Sequence, residues 1–488
     1  MAAQASVAIE DQRQPRGLYV LFSAEAWERF SYYGMRALLV LYLVNHLQFP
    51  REKALEVFAL YTGLVYLTPM LGGYLADKYL GARKAVLIGG ILMALGHLAM
   101  AFEPLLYQAL GLLIVGNGFF KPNISTIVGG LYRENDPRRD GGFTIFYMGI
   151  NLGAFFSPLV CGTLGEKVGW HWGFGAAGIG MIAGLLVFVW GQKLLGTTGF
   201  PPGREVTAST RLLPRDWRDV GVYTLACTAL VWAIVAVGSM VGQGPMLIGG
   251  VAVCGVALVG QRLFSKPDTA VEPLTRDEWA RIGVIAVLAF FNIFFWMGFE
   301  QAGGTFTLFA DKQTDRHLFG WEIPASYFQS INPLLIVAMA PIFSIGWKKL
   351  DQSRYSLPTP AKMAIGMILL GLGFVLMFVA QGIAEKVGMV GPLWLVGVYF
   401  LHTTGELFLS PIGLSMVSKL SPARLTAIMM GVWFASSAVA NYSAGTLEAL
   451  LHDFGVPLYG FLIFSSIGAG VILLLLTPML KKLMHGVS

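Results

Sequence analysis

The chain has 488 residues, of which 55% are hydrophobic and only 13% charged, with a formal charge of +6 at pH 7. That much apolar surface cannot be hidden inside one soluble core, which leaves lipid as the expected solvent. In a chain of many spans an excess of Lys and Arg records topology, so the positive charge is not read as the footprint of a nucleic acid.

Apolar runs of about 20 residues, the length that about 30 Å of hydrocarbon asks of a helix, recur along the sequence. They place spans at 18–45, 54–76, 84–102, 106–130, 142–165, 172–195, 218–241, 245–264, 280–310, 324–349, 361–383, 391–418, 425–451 and 456–480. The expected fold class is an all-α membrane protein of about fourteen helices. The first 16 or so residues are polar, and the apolar segment after them is too long for a cleavable signal. The first span is therefore expected to stay attached. With both termini cytoplasmic, most of the 34 Lys and Arg fall in inside loops. That fixes the expected orientation, with the inner membrane of the cell as the expected location.

The most polar stretch, at 199–217, reads as a cytoplasmic linker closing an N-terminal six-helix bundle at 1–198. The nearly uncharged pair of spans at 218–266 reads as an inserted hairpin facing lipid, and 267–488 as a C-terminal six-helix bundle. A faint internal repeat links the halves. G-N-G-F-F-K-P at 116–122 matches G-E-L-F-L-S-P at 405–411, while Met148-Gly149 and Gly162-Thr163-Leu164 recur at Met430-Gly431 and Gly445-Thr446-Leu447. Transporters built from such repeats place their substrate near the midplane. Cys161, Cys227 and Cys254 have no metal-ligand spacing and read as small packing residues, so no metal is expected.

Ionisable residues inside apolar spans carry most of the functional information, because each costs roughly 3 kcal/mol or more at the centre of a membrane helix. The first span holds A-E-A-W-E-R-F-S-Y-Y-G-M-R at 24–36. On a helix Glu25, Glu28, Arg29, Tyr32, Tyr33 and Arg36 share an arc of roughly 140° spread over about 16 Å. Such a face is either a structural ion-pair ladder or the wall of a hydrated cavity. Lys121, Glu300 and Glu406 lie equally far from the charged loops, which favours the cavity. Taken alone, Lys121 could snorkel to the interface, and the two glutamates could be protonated packing residues. Tyr61, Tyr147, Asn151, Asn332 and Ser410 are further candidates for a polar lining, with Trp296 and Trp433 as walls. An amide is expensive in a membrane without a partner, so Asn151 and Asn332 are the more informative. Asp77 and Arg83, in G-G-Y-L-A-D-K-Y-L-G-A-R-K at 72–84, read either as a latch at the seam of the bundles or as a simple positive turn.

The stretch E-A-W-E-R-F-S-Y-Y-G resembles the E-x-x-E-R-F-x-Y-Y-G signature of the proton-dependent oligopeptide transporters, a branch of the major facilitator superfamily. F-Y-M-G-I-N-L-G at 146–153 is similar to that family's F-Y-x-x-I-N-x-G, and F-F-K-P-N, F-E-Q-A-G, S-I-N-P-L and E-L-F-L-S-P-I-G also match. The resemblance spans essentially the whole chain, including the extra hairpin of bacterial members. It implies the major facilitator fold and proton-driven symport of di- and tripeptides by alternating access, with no cofactor and a monomer as the expected state. Carried over by motif, Arg36 and Lys121 would receive the peptide carboxylate, and Asn151, Asn332 and Glu406 the ammonium. Tyr33, Tyr61 and Tyr147 would line the pocket. Glu25, Glu28 and Arg29 would couple to Lys121, while Glu300 would exchange between a proton and Arg36.

A relative carrying nitrate or a drug is the nearest alternative, but nitrate carriers of the family are expected to lack E-x-x-E-R. An intramembrane enzyme is the alternative of a different class. The chain has no H-E-x-x-H, no G-x-S-x-G and no paired His ligands among its seven His.

Overall fold

The computed structural model describes residues 13–133, 136–200, 274–353, 356–422 and 425–484, with scattered positions between 217 and 233. Apart from those positions, the inserted pair expected at 218–266 lies outside the described residues. Each of the twelve spans expected elsewhere is helical. In the first half these are α1 (Arg16–Leu41), α2 (Arg51–Leu67) with α3 (Pro69–Leu75), α4 (Ala82–Ala99), α5 (Leu106–Gly130), α6 (Arg139–Thr163) and α7 (Trp170–Gly191). In the second half they are α8 (Arg276–Phe299) with α9 (Thr305–Gln313), α10 (Ile331–Asp351), α11 (Thr359–Val387), α12 (Leu393–Leu420), α13 (Thr426–Asp453) and α14 (Leu458–Leu483). A two-stranded hairpin, β1 (His317–Leu318) with β2 (Trp321–Glu322), stands between α9 and α10.

Eight helical segments among the described residues are long and apolar enough to cross a membrane. At 26 residues α1 has the length, but it carries its four intramembrane charges. Large apolar side chains such as Ile179, Phe290, Ile342, Phe464 and Leu475 stand exposed on the helices, a surface suited to acyl chains and not to water.

Not every span is the single uninterrupted helix that apolar run length suggests. The span expected at 280–310 breaks at Glu300–Gly303, a 3-10 turn followed by Gly304 at φ −109° and ψ −94°, outside helical geometry. Glu300 therefore sits on a break between two half-helices. By contrast, α5 runs without interruption through Pro122. Proline removes one N–H from the helix ladder and so deprives the Gly118 carbonyl, four residues back, of its usual donor. That carbonyl lies against Gly72 of α3.

The chain packs as two compact units, Met1–Leu38 with Thr68–Val235, and Leu39–Leu67 with Ala236–Ser488. In the first, α4 packs along α5 and α7, and α3 along α5. Trp232, one of the scattered described positions, donates its indole N–H to the carbonyl of Gln108 on α5 at 3.0 Å. In the second, α11 packs against α12 and α14, and α8 against α13. The second unit also holds α2, which lies along α13. A Cβ at position 63 would lie 3.2 Å from that of Tyr442, and at the end of the helix Arg51 Nε and Nη2 meet Glu448 Oε1 and Oε2 at 2.7 and 3.2 Å. Packing thus groups α2 with the later helices, although the linker that separates the halves in sequence comes at 199–217.

Candidate functional site

In the first unit the ionic residues of α1 form one network. Arg29 binds Glu25 Oε1 at 3.1 Å and also pairs with Glu28. Asn117 of α5 donates from Nδ2 to Glu28 Oε1 at 3.3 Å. Lys121, one turn further along α5, is close enough for its charge to be felt at both glutamates. Glu25, Glu28 and Arg29 are buried, so they are compensated in a medium that screens little. Close approach of α6 makes this possible, because a side chain at Gly153 would collide with the Ala26 carbonyl 2.2 Å away. Along the same face the Arg29 guanidinium lies over the Tyr32 ring, 5.3 Å from its centre, and Arg36 lies 5.9 Å from the centre of Tyr33. On α6, Tyr147 is exposed and Asn151 buried, with Asn151 Nδ2 donating to the Tyr147 carbonyl at 3.0 Å. With Nδ2 committed to that carbonyl, Oδ1 is the acceptor atom of the amide.

The second unit gathers acids. Asn332 of α10 donates from Nδ2 to Glu406 Oε2 at 2.8 Å and to Thr403 Oγ1 at 3.0 Å, both on α12. Glu300, at the break between α8 and α9, is near enough for its charge to be felt at Glu406. Both carboxyls are buried. Trp296, one helical turn before Glu300, packs edge-on to Phe295 and Phe299, with ring centres 5.4 and 5.2 Å away, and Trp433 of α13 is buried. Tyr61 of α2 is only 1% exposed, so in this conformation it is a packed residue of the unit. The side chain of Ser410 lies outside the described residues.

Arg83 is anchored locally. Its Nε, Nη2 and Nη1 donate to the carbonyls of Thr198, Gly196 and Gln192 at 2.7, 2.6 and 3.4 Å, and its guanidinium covers Phe200. These bonds tie the start of α4 to the segment leaving α7. Asp77 sits in the π-helical turn Ala76–Leu80, just before it.

Several participants were not picked out from the sequence. Asn117 is one helical turn before Lys121 and so on its face, a spacing that could have flagged it. Thr403 precedes Glu406 by three residues on α12. Asn292, alone in an aromatic run of α8, donates to Ser436 and Ser437 Oγ at 3.0 and 3.3 Å and pins α8 to α13 beside the two tryptophans. Among the described residues no group of His, Cys, Asp and Glu is arranged to hold a metal.

A family model described as the POT family matches residues 83–232 and 259–461. The chain belongs to the POT family. It is 37% identical to the peptide transporter YePEPT of Yersinia enterocolitica over 492 residues, covering 96% of this chain and 95% of that one. Identity to a di-/tripeptide transporter of Lactococcus lactis is 34% over 491 residues, covering 97% of each. Among solved structures, a peptide transporter of the POT family in complex with alafosfalin matches with a TM-score of 0.82 at 36% identity, over 97% of this chain and 98% of that one. The fold is that of the POT transporters, within the major facilitator superfamily, and the chain is a multi-pass membrane protein.

Proposed function

We infer that this POT family member carries di- and tripeptides into the cell by proton-coupled symport. The observation that carries the reading is a division of charge: the named site groups of the first unit hold a cation in excess, and those of the second are two acids, one fixed by Asn332. A small peptide is a zwitterion whose charged ends are a fixed backbone length apart. Arg36 and Lys121 suit its carboxylate, while Glu406, with Asn151 and Asn332, suits its ammonium. Recognition through the termini leaves the peptide side chains unread, as a carrier of many peptides requires. The names of the relatives point the same way.

Proton coupling rests on Glu300. A carboxyl that either holds a proton or holds Arg36 makes peptide binding and protonation favour one another, because protonation frees the cation for the substrate. In this reading the network of Glu25, Glu28 and Arg29 sets how firmly Lys121 is held. The energy comes from the proton gradient, with no cofactor. Each chain carries both sets of charged groups, so a monomer suffices. The excess of Lys and Arg in alternate loops supports cytoplasmic termini in the inner membrane.

The test is uptake of labelled dialanine into liposomes holding the purified protein, with and without an inward proton gradient. Accumulation that requires the gradient and is competed by tripeptides, but not by free amino acids, is expected. Equal uptake without the gradient would remove the coupling, and hydrolysed dialanine would point to an enzyme instead.

A further inference from the structure

The hairpin between α9 and α10 has a tip that is costly to make. Its two-residue turn, Phe319-Gly320, has φ of 53° and 81°. A turn with positive φ at both positions is ordinarily filled by Asn-Gly or Asp-Gly, and a bulky residue there is strained. Yet the residue is a phenylalanine, 106% exposed, flanked by Leu318 and Trp321 at 42% and 46%. In water such an arrangement combines backbone strain with a fully hydrated aromatic ring and nothing to offset either.

The base of the hairpin is rigid. Arg316 binds Asp311 Oδ1 at 3.3 Å and Glu322 Oε1 at 2.9 Å, and donates to the Ile323 carbonyl at 2.7 Å. The chain before it is also strapped to the connection between α11 and α12: Asp315 N donates to Val390 O and Val390 N to Gln313 O, each at 2.9 Å. That strap has apolar, exposed neighbours in Val387, Met389 and Leu393. The apolar surface of these helix ends, which lipid must cover, therefore continues onto the hairpin.

We propose that the β1–β2 hairpin is an interfacial anchor whose Leu318, Phe319 and Trp321 tip is immersed in the lipid headgroup layer. Two residues per strand and the turn reach roughly 7–10 Å from the base. The polar layer of each leaflet is about 5–8 Å deep. The hairpin starts at the end of one membrane helix and finishes at the start of another, so a reach of this size keeps its tip inside that layer. Aromatic residues are the ones that settle there. A second protein copy fits less well, because three side chains make far less than the roughly 800 Å² per partner of a stable interface.

The test places a nitroxide on Phe319→Cys in a background lacking Cys161, Cys227 and Cys254, in vesicles of phosphatidylethanolamine and phosphatidylglycerol. Dialanine uptake by the labelled protein verifies its fold, and Leu318→Cys serves as a second label site if the first fails that check. In power-saturation EPR, the ratio of relaxation by oxygen to relaxation by the water-soluble nickel chelate is expected to be at least twofold higher for this label than for the free nitroxide in bulk water. A ratio equal to that of the free nitroxide places the label in water and overturns the proposal. Dipolar broadening that vanishes on dilution with unlabelled protein also overturns it, in favour of contact with a second copy.

Discussion

Arg29 holds two carboxylates at once with almost no access to water, so it is the residue whose truncation strands the most charge. Arg29→Ala is expected to cost about 3–5 kcal/mol, the range for one half of a buried pair, and to lower the melting temperature of the purified protein. Glu25→Gln combined with Arg29→Gln removes an opposite pair and should recover part of that loss. At Glu300 the expected effect is on coupling and not on folding. Glu300→Gln should reduce gradient-driven accumulation of dialanine more than tenfold while leaving gradient-free exchange of labelled for unlabelled dialanine in place. Loss of both activities would assign Glu300 to binding. Asp136 provides a control outside the membrane: hydrogen bonds from the Arg138 side chain and backbone N–H hold its carboxyl down at about 2, against an ordinary 3.8. A depressed value means that the contribution of this contact is complete above pH 4 and is lost only as pH falls through 2. Asp136→Asn should therefore leave the shape of the uptake profile between pH 5 and 8 unchanged.

At the scale of helices, the faint repeat seen in the sequence has a steric cause in each half. Gly116 of α5 lets α4 approach until a Cβ there would lie 2.7 Å from the carbonyl of Gly89. Its repeat mate, Gly405 of α12, does the same with α11, 2.6 Å from the carbonyl of Gly366. Lys121 follows Gly116, and Ser410 follows Gly405, at the same interval of five residues. Gly405→Val is expected to force the helices apart at about 1–3 kcal/mol, read as a lower melting temperature. It should also weaken peptide affinity, because Glu406 is the next residue. Such features were readable because they break a pattern: Lys121, Arg36 and Glu300 stand out in apolar runs. Asn117, Thr403 and Ser436 were not, since one small polar residue on a membrane helix is also ordinary packing. The break after Glu300 escaped for a related reason. Hydropathy measures the length of a run, and the turn at Glu300–Gly303 leaves that length unchanged.

For the whole molecule, the instructive element is α2. Nothing in its composition announces that it packs on α13, because the contact is made by a missing side chain at Gly63 and by an ion pair at the helix end. Alternating access moves the two halves of the sequence against one another, so this seam must open and close if the transport reading holds. Cysteines at Gly63 and Tyr442 would have Cβ atoms about as close as a disulfide needs. Oxidising Gly63→Cys with Tyr442→Cys in the cysteine-free background should stop dialanine uptake, and reduction should restore it. Full uptake by completely cross-linked protein would show that α2 and α13 never part.

The same seam bears on what joins the molecule together. With α2 seated among the later helices, the covalent tether at 199–217 is not the sole attachment of one half to the other. A transporter nicked by protease in that tether is expected to elute as one intact particle, its fragments separating only on denaturing gels.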